Sequence, residues 1–104
     1  MPGQVDQAFS AEVTGPPAAP VIRLVGELDV AGARVLLAAV DATLTDGARS
    51  LRVDCARLEF VDPAGLSALL CAARRGPRLV LDSPPPLLLK LRELLDLTEE
   101  LPVR

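Results

Sequence analysis

The 104-residue sequence predicts an α/β fold, a mixed sheet of four to five strands with crossover helices lying mainly on one face. Two short strand-like runs open the chain, and helical and strand-like periodicities then alternate to its end. Gly- and Pro-rich breaks fall between these segments. Half of the residues are apolar but Phe9 and Phe60 are the only aromatics, so the core must be made of Leu, Val and Ala. A length near the commonest domain size predicts one domain, residues 9–104, preceded by a flexible polar tail over residues 1–8.

Phe9 to Val13 alternates apolar and polar residues with the period of a half-buried strand. The break Gly15-Pro16-Pro17-Ala18-Ala19-Pro20 then predicts a hairpin-like turn that leaves this first strand outermost. Val21 to Val25 is β-branched and mostly apolar, which predicts a more central strand stopped by Gly26. From Ala31 to Thr45, Val35, Leu36, Ala39, Val40 and Leu44 recur at helical spacing, with Gly47 as the stop. Leu51 to Asp54 is the next strand, and Cys55, Ala56 and Arg57 are expected to form a loop after it.

Asp62-Pro63-Ala64-Gly65 carries the signals of a helix start, since Asp accepts hydrogen bonds from free backbone N–H groups and Pro suits the first helical position. Leu66, Leu69, Leu70 and Ala73 would face inward, and Gly76-Pro77 would end the helix. Leu79 to Leu81 resembles a strand buried on both faces. Ser83 is expected to cap a third helix entered through Pro84 to Pro86, with Leu87, Leu88, Leu91, Leu94 and Leu95 as a wide apolar face. Asp96 or Leu97 would close it, and residues 99–103 would return as a last short strand. Right-handed crossovers place the helices on one face of such a sheet unless it is doubly wound.

Composition narrows the functional classes. The net charge is −3, so the long-range field does not draw the chain toward nucleic-acid phosphates or anionic membranes. Two aromatics are too few for the stacking platforms of single-strand binders. Arg74, Arg75, Arg78, Lys90 and Arg92 cluster in the second half and are expected to form a solvated helix rim. No histidine is present, which removes Ser-His and Cys-His catalysis. No Gly-rich phosphate loop occurs, and Gly65-Leu66-Ser67-Ala68-Leu69 lacks the second Gly of a nucleophile elbow. No catalytic residue, cofactor or metal ligand set is therefore assigned. Cys55 and Cys71 are expected to be buried, reduced thiols, and the lack of a signal-like or spanning run predicts a cytoplasmic chain without membrane insertion.

Three segments, in order, resemble the STAS domain family, named for sulfate transporters and anti-sigma factor antagonists. Gly26-Glu27-Leu28-Asp29 resembles its strand-ending GELD motif. Leu51 to Asp54 and Val61 to Leu66 resemble its strand, loop and D-S-S-G-L segment, and Leu79 to Leu97 its final strand and leucine-rich helix. The placement of the first motif about 35 residues before a D-x-x-G-L helix start is far more specific than either motif alone. The resemblance spans about Phe9 to Val103.

In that family the residue after the motif's Asp is commonly a phosphorylated Ser or Thr. Here it is Pro63, followed by Ala64, and neither has a hydroxyl. The change of about −1.5 to −2 charge that a phosphoryl group brings cannot be made at this position. Ser67, Ser83 and Thr98 are alternatives by elimination only; Ser67 is expected to pack or back-bond within its helix.

If the flanking strands are parallel, Asp29 and Asp62 emerge together at their C-terminal edge, where sites on such sheets form. Two acids there are compatible with acid–base chemistry or a hard cation, but helix capping is the simpler role for Asp62, and no third carboxylate clearly joins them. The small residues Ala64, Gly65, Ala68, Ala72 and Ala73 imply close packing on the sheet or a flat exposed patch. The resemblance implies a non-enzymatic partner-binding surface of Glu27, Leu28, Asp29, Val61, Asp62, Pro63, Ala64 and Gly65, with the exposed side of the second helix. Its expected partner is an anti-sigma factor of the kinase-like type, regulating transcription. The alternative is the ATPase of a bacterial phospholipid transporter, since accessory STAS subunits of that kind also use Asp, a variable residue, Ala, Gly and Leu at the helix start.

Overall fold

A computed structural model describes residues 9–104, so the tail expected over residues 1–8 lies outside the described residues. The elements are β1 (Ser10–Thr14), β2 (Val21–Leu28), α1 (Val30–Thr45), β3 (Ser50–Val61), α2 (Pro63–Arg74), β4 (Arg78–Asp82) and α3 (Pro86–Leu94). They form one four-stranded sheet in the order β1-β2-β3-β4, with β1 antiparallel to β2 and the other pairs parallel. Successive parallel strands always step in the same direction across this sheet. Crossovers of one hand therefore drop α1 and α2 on the same face.

Burial follows that rule. Ile22, Leu24 and Leu28 of β2, Leu51, Val53 and Cys55 of β3, and Leu79 and Leu81 of β4 join Leu36, Val40, Leu66, Leu69 and Leu88 of the helices in one core. The intervening positions Arg23, Arg52, Asp54 and Asp82 line the uncovered face, where Arg23 meets Asp54 at 3.5 Å and Arg52 meets Asp82 at 3.9 Å. Val80 is only half-buried, so β4 is covered on one face rather than two. With few aromatics, the core relies on many fully buried aliphatic side chains, each contributing about 1.5–3 kcal/mol.

Several elements differ from the sequence expectation for identifiable reasons. Gly26 does not stop β2: it has φ +103°, and the strand continues through it to Leu28. Residues 55–57 are not a loop but the middle of a 12-residue strand. β3 carries one more residue than β2 between the pairs Arg23↔Asp54 and Val25↔Arg57, and another between Gly26↔Leu58 and Glu27↔Phe60. Each irregularity inserts an extra residue, so the inward positions run Leu51, Val53, Cys55, Leu58 and Val61, and the simple alternation is lost. At the first, the Asp54 carboxylate accepts from the Ala56 N–H at 3.0 Å.

The helices show smaller departures. On α1 the buried residues are Gly32, Leu36, Val40 and Thr43, and Val35 is exposed. Thr43 is accommodated because its hydroxyl donates to the Val40 carbonyl at 2.7 Å. Gly47, at φ +96°, follows the end of the helix as expected. Ser83 does not cap α3: Pro85 occupies that position, and Ser83 sits in the left-handed region at φ +55°. The leucine face of α3 is narrower than its sequence implies, with Leu88 buried but Leu87, Leu94 and Leu95 exposed. Beyond α3, Arg92 donates to the carbonyls of Leu101 and Thr98 and ties down a terminal segment whose Leu101 is fully buried. The expected last strand is reduced to one parallel bridge, Leu81↔Val103.

The two thiols have different fates. Cys71 is exposed, whereas Cys55 is buried, and its thiol pKa is pushed up to about 12 from 9.0 by burial, with Asp54 and then Asp82 adding to the rise. A raised thiol pKa means that the unfolded chain ionises first. The contribution is present below pH 9 and is lost as pH climbs from 9 toward 12. In urea titrations the stability of the native chain should therefore decline over this window, and Cys55→Ala should flatten that decline. A thiol reagent at pH 8 should modify Cys71 alone until denaturant exposes Cys55; equal reaction of both thiols in the native protein would contradict this assignment.

Candidate functional site

β2 and β3 finish side by side, with Leu28 paired to Val61. The next residue of each strand is an aspartate that begins a helix. The Asp29 carboxylate accepts from the Gly32 N–H at 2.9 Å, and that of Asp62 accepts from the Gly65 N–H at 2.9 Å. Each Asp thus satisfies a helix donor that would otherwise have no partner and sits where the helix dipole favours negative charge. Pro63 at the first position of α2 lacks only an N–H that the helix would leave unpaired.

The two helix starts are bound together through Leu28. Its carbonyl accepts from the Asp62 N–H at 3.2 Å, and the first turn of α2 lies directly against it. A side chain at Gly65 would overlap the Leu28 carbonyl oxygen and come within 2.8 Å of Leu28 Cγ. Only a residue without Cβ permits this approach. Gly32 plays a milder version of the same part on α1, where a Cβ would meet the Glu27 carbonyl oxygen at 3.0 Å and the Phe9 ring at 3.1 Å. The small residues Gly65, Ala68 and Ala72 are buried, so close packing accounts for most of the small-sided face of α2.

The structure brings the expected site residues to one edge but divides them by exposure. Glu27 and Pro63 are exposed, and Asp29, Asp62 and Ala64 are half-buried. Leu28, Val61 and Gly65 are buried, so these three set the geometry of the edge and present no side chain to a partner. Asp29 and Asp62 line one shallow groove together with Val30, Ala31, Arg34 and Val35 of α1. Val30 and Val35 are large apolar residues exposed beside it. They were not legible as site residues because Val35 continues the apolar helical spacing of Leu36 and Ala39 and reads as core. Among the described residues no group of three metal-ligating side chains forms around the two aspartates.

Other residues singled out in the sequence lie elsewhere. Ser67 is exposed on α2 rather than packed, and the Ser83 hydroxyl lies 3.3 Å from the Asp82 carboxylate. Arg74 pairs with Glu100 at 2.7 Å and Arg75 with Asp41, so part of the basic rim is tied to neighbouring elements. No helix among the described residues is long and apolar enough to cross a membrane.

The Leu28 junction makes a graded prediction. Gly65→Ala should lower unfolding free energy by about 3 kcal/mol, the upper end of ordinary overpacking costs, because the obstacle is backbone. Gly32→Ala should cost less, since the Phe9 ring can shift. Asp62→Ala should cost about 1 kcal/mol and Asp62→Asn much less, because Asn retains the capping acceptor. Urea denaturation of the four variants gives the order directly, and a Gly65→Ala protein as stable as wild type would refute the close approach.

Comparison with known proteins places this geometry among relatives. Residues 11–103 match the family model described as "Mlab, STAS domain". No curated protein matches the sequence. A crystal structure of an anti-sigma factor antagonist from Mycobacterium paratuberculosis superposes with a TM-score of 0.81 at 21% identity, covering 92% of this chain and 85% of that one. The anti-sigma factor antagonist SpoIIAA in its unphosphorylated form gives 0.69 at 26% identity, covering 84% and 83%. The Bacillus cell fate determinant SpoIIAA in the phosphorylated form gives 0.70 at 24% identity, covering 93% and 91%.

Proposed function

The chain belongs to the STAS domain family, and we propose that it is a non-enzymatic docking domain, resembling anti-sigma factor antagonists, that binds a kinase-like anti-sigma factor in the cytoplasm and so regulates transcription. The observation that carries this reading is the shared groove of Asp29 and Asp62, two carboxylates held at adjacent helix starts beside exposed apolar side chains. A surface of this kind suits protein recognition: Val30 and Val35 offer apolar area, while Glu27, Asp29, Asp62 and Arg34 select the partner electrostatically. Pro63 and Ala64 follow Asp62 in the first turn of α2, and the buried Leu28, Val61 and Gly65 set the geometry of this edge. No hydroxyl follows Asp62, so the docking surface is constitutively competent or is controlled through the partner rather than by phosphorylation at that position.

A second partner is favoured by the same hydroxyl-free helix start. Asp62-Pro63-Ala64-Gly65-Leu66 also resembles the accessory STAS subunits that bind the ATPase of a bacterial phospholipid transporter, and the matching family model bears the description "Mlab".

Tagged protein purified from its native cells, with the retained proteins identified by mass spectrometry, separates the two. An anti-sigma factor is the expected catch; a transporter ATPase would replace it with the second partner, and recovery of neither would remove both. Val30→Asp should reduce retention of the true partner at least about tenfold, as expected when a central apolar contact is lost, while leaving the urea midpoint nearly unchanged. Pro63→Ser should create a phosphoacceptor for a cognate anti-sigma kinase at a stability cost below about 1 kcal/mol. Equal labelling of wild type and Pro63→Ser would place the regulatory hydroxyl elsewhere.

A further inference from the structure

The strand starts, at the opposite edge of the sheet from Asp29 and Asp62, enclose a concavity of about 220 Å³. One row of the uncovered sheet face, Val21, Arg52 and Val80 in neighbouring register, contributes to its wall. Three arginines from three separate segments line it: Arg52 of β3, Arg78 at the first position of β4, and Arg104 after the Val103 bridge. Ser50 lies among them. This gathering of cations runs against the chain's net charge of −3.

The same sheet face also carries two ion pairs. Arg23 is paired with Asp54, and Arg52 with Asp82 in the longest, at 3.9 Å, of the four ion pairs among the described residues. Arg78 and Arg104 belong to none of those pairs. Arginines lining one hollow bring like charges near one another, and an anion placed between them turns that repulsion into attraction. Their planar forks suit oxyanions, which accept two parallel N–H bonds from one arginine.

Size and lining specify the anion further. The hollow is smaller than the about 300–1,000 Å³ of pockets for drug-sized ligands. Neither Phe lines it, so no ring is present to stack a nucleobase. We propose that this concavity is a binding site for a small phosphate-class oxyanion, held by Arg52, Arg78 and Arg104 with Ser50 beside them. The site lies apart from the docking edge and does not depend on what binds there.

Inorganic phosphate is the probe. It is titrated into the ¹⁵N-labelled full chain at constant ionic strength, with chloride as the exchanged anion, and followed by amide and arginine side-chain resonances. Saturable shifts confined to Ser50, Arg52, Arg78, Val80 and Arg104 are expected, with Asp29 and Asp62 unmoved. Arg78→Gln and Arg104→Gln should each weaken phosphate binding about tenfold, the loss that accompanies one charge-assisted hydrogen bond. Arg34→Gln, at the other edge, should leave it unchanged. All three arginines are surface residues outside the core, so an unaltered amide spectrum verifies the fold of each variant. Linear shifts without saturation, shifts spread equally over Arg34 and Arg57, or undiminished binding by Arg78→Gln would each overturn the proposal.

Discussion

The close approach of α2 to the Leu28 carbonyl is the constraint on which the site edge depends. Gly65 has no Cβ, so the first turn of α2 can lie against the end of β2 while its own N–H groups remain capped by Asp62. The same carbonyl accepts from the Asp62 N–H, which joins the start of the second helix to the end of the neighbouring strand. Asp29 and Asp62 are thereby set on one edge, each oriented by a hydrogen bond to a glycine N–H three residues on. Glycine appears at both positions for the same reason: a helix start that hugs a strand end has no room for a side chain there.

The sheet supplies the frame for that junction. Its strands step in one direction, so crossovers of like hand put the helices over one face and leave the other uncovered. The covered face holds aliphatic side chains, and the uncovered face holds arginines and aspartates in weak, solvent-exposed pairs of little net stability. Two extra residues in β3 bring Leu58 and Val61 back to the core after the regular alternation ends at Cys55. Val61 then ends beside Leu28, as the junction requires.

The molecule therefore has two chemically different edges. At the strand ends, carboxylates and exposed valines line a shallow groove. At the strand starts, arginines collect around a hollow. Proline in place of a hydroxyl residue at the mouth of α2 separates this chain from any control that adds phosphate there, because the position carries no oxygen to accept it.

Much of the architecture was legible in the sequence, because it follows from local chemistry. Asp62-Pro63 announces a helix start by cap and fixed φ, Gly47 lies just past the end of α1, and the Pro-rich turn leaves β1 at the edge. The adjacency of Asp29 and Asp62 follows from the sequence once the strands that precede them are parallel neighbours. Where the expectation failed, the deciding interaction was distant in sequence. Residues 55–57 read as a loop because the extra residues that break their alternation are defined only against β2. Cys71 and Val35 read as buried because an apolar residue's environment is set by the element opposite it, and here none covers them. The sequence by itself determined the order of the main elements, the Asp62 cap of α2 and the absence of a hydroxyl after Asp62, all properties of neighbouring residues. Only the tertiary structure decided which carboxylates, valines and arginines share a surface, because that depends on strand register and on a helix pressed against a carbonyl more than 30 residues away.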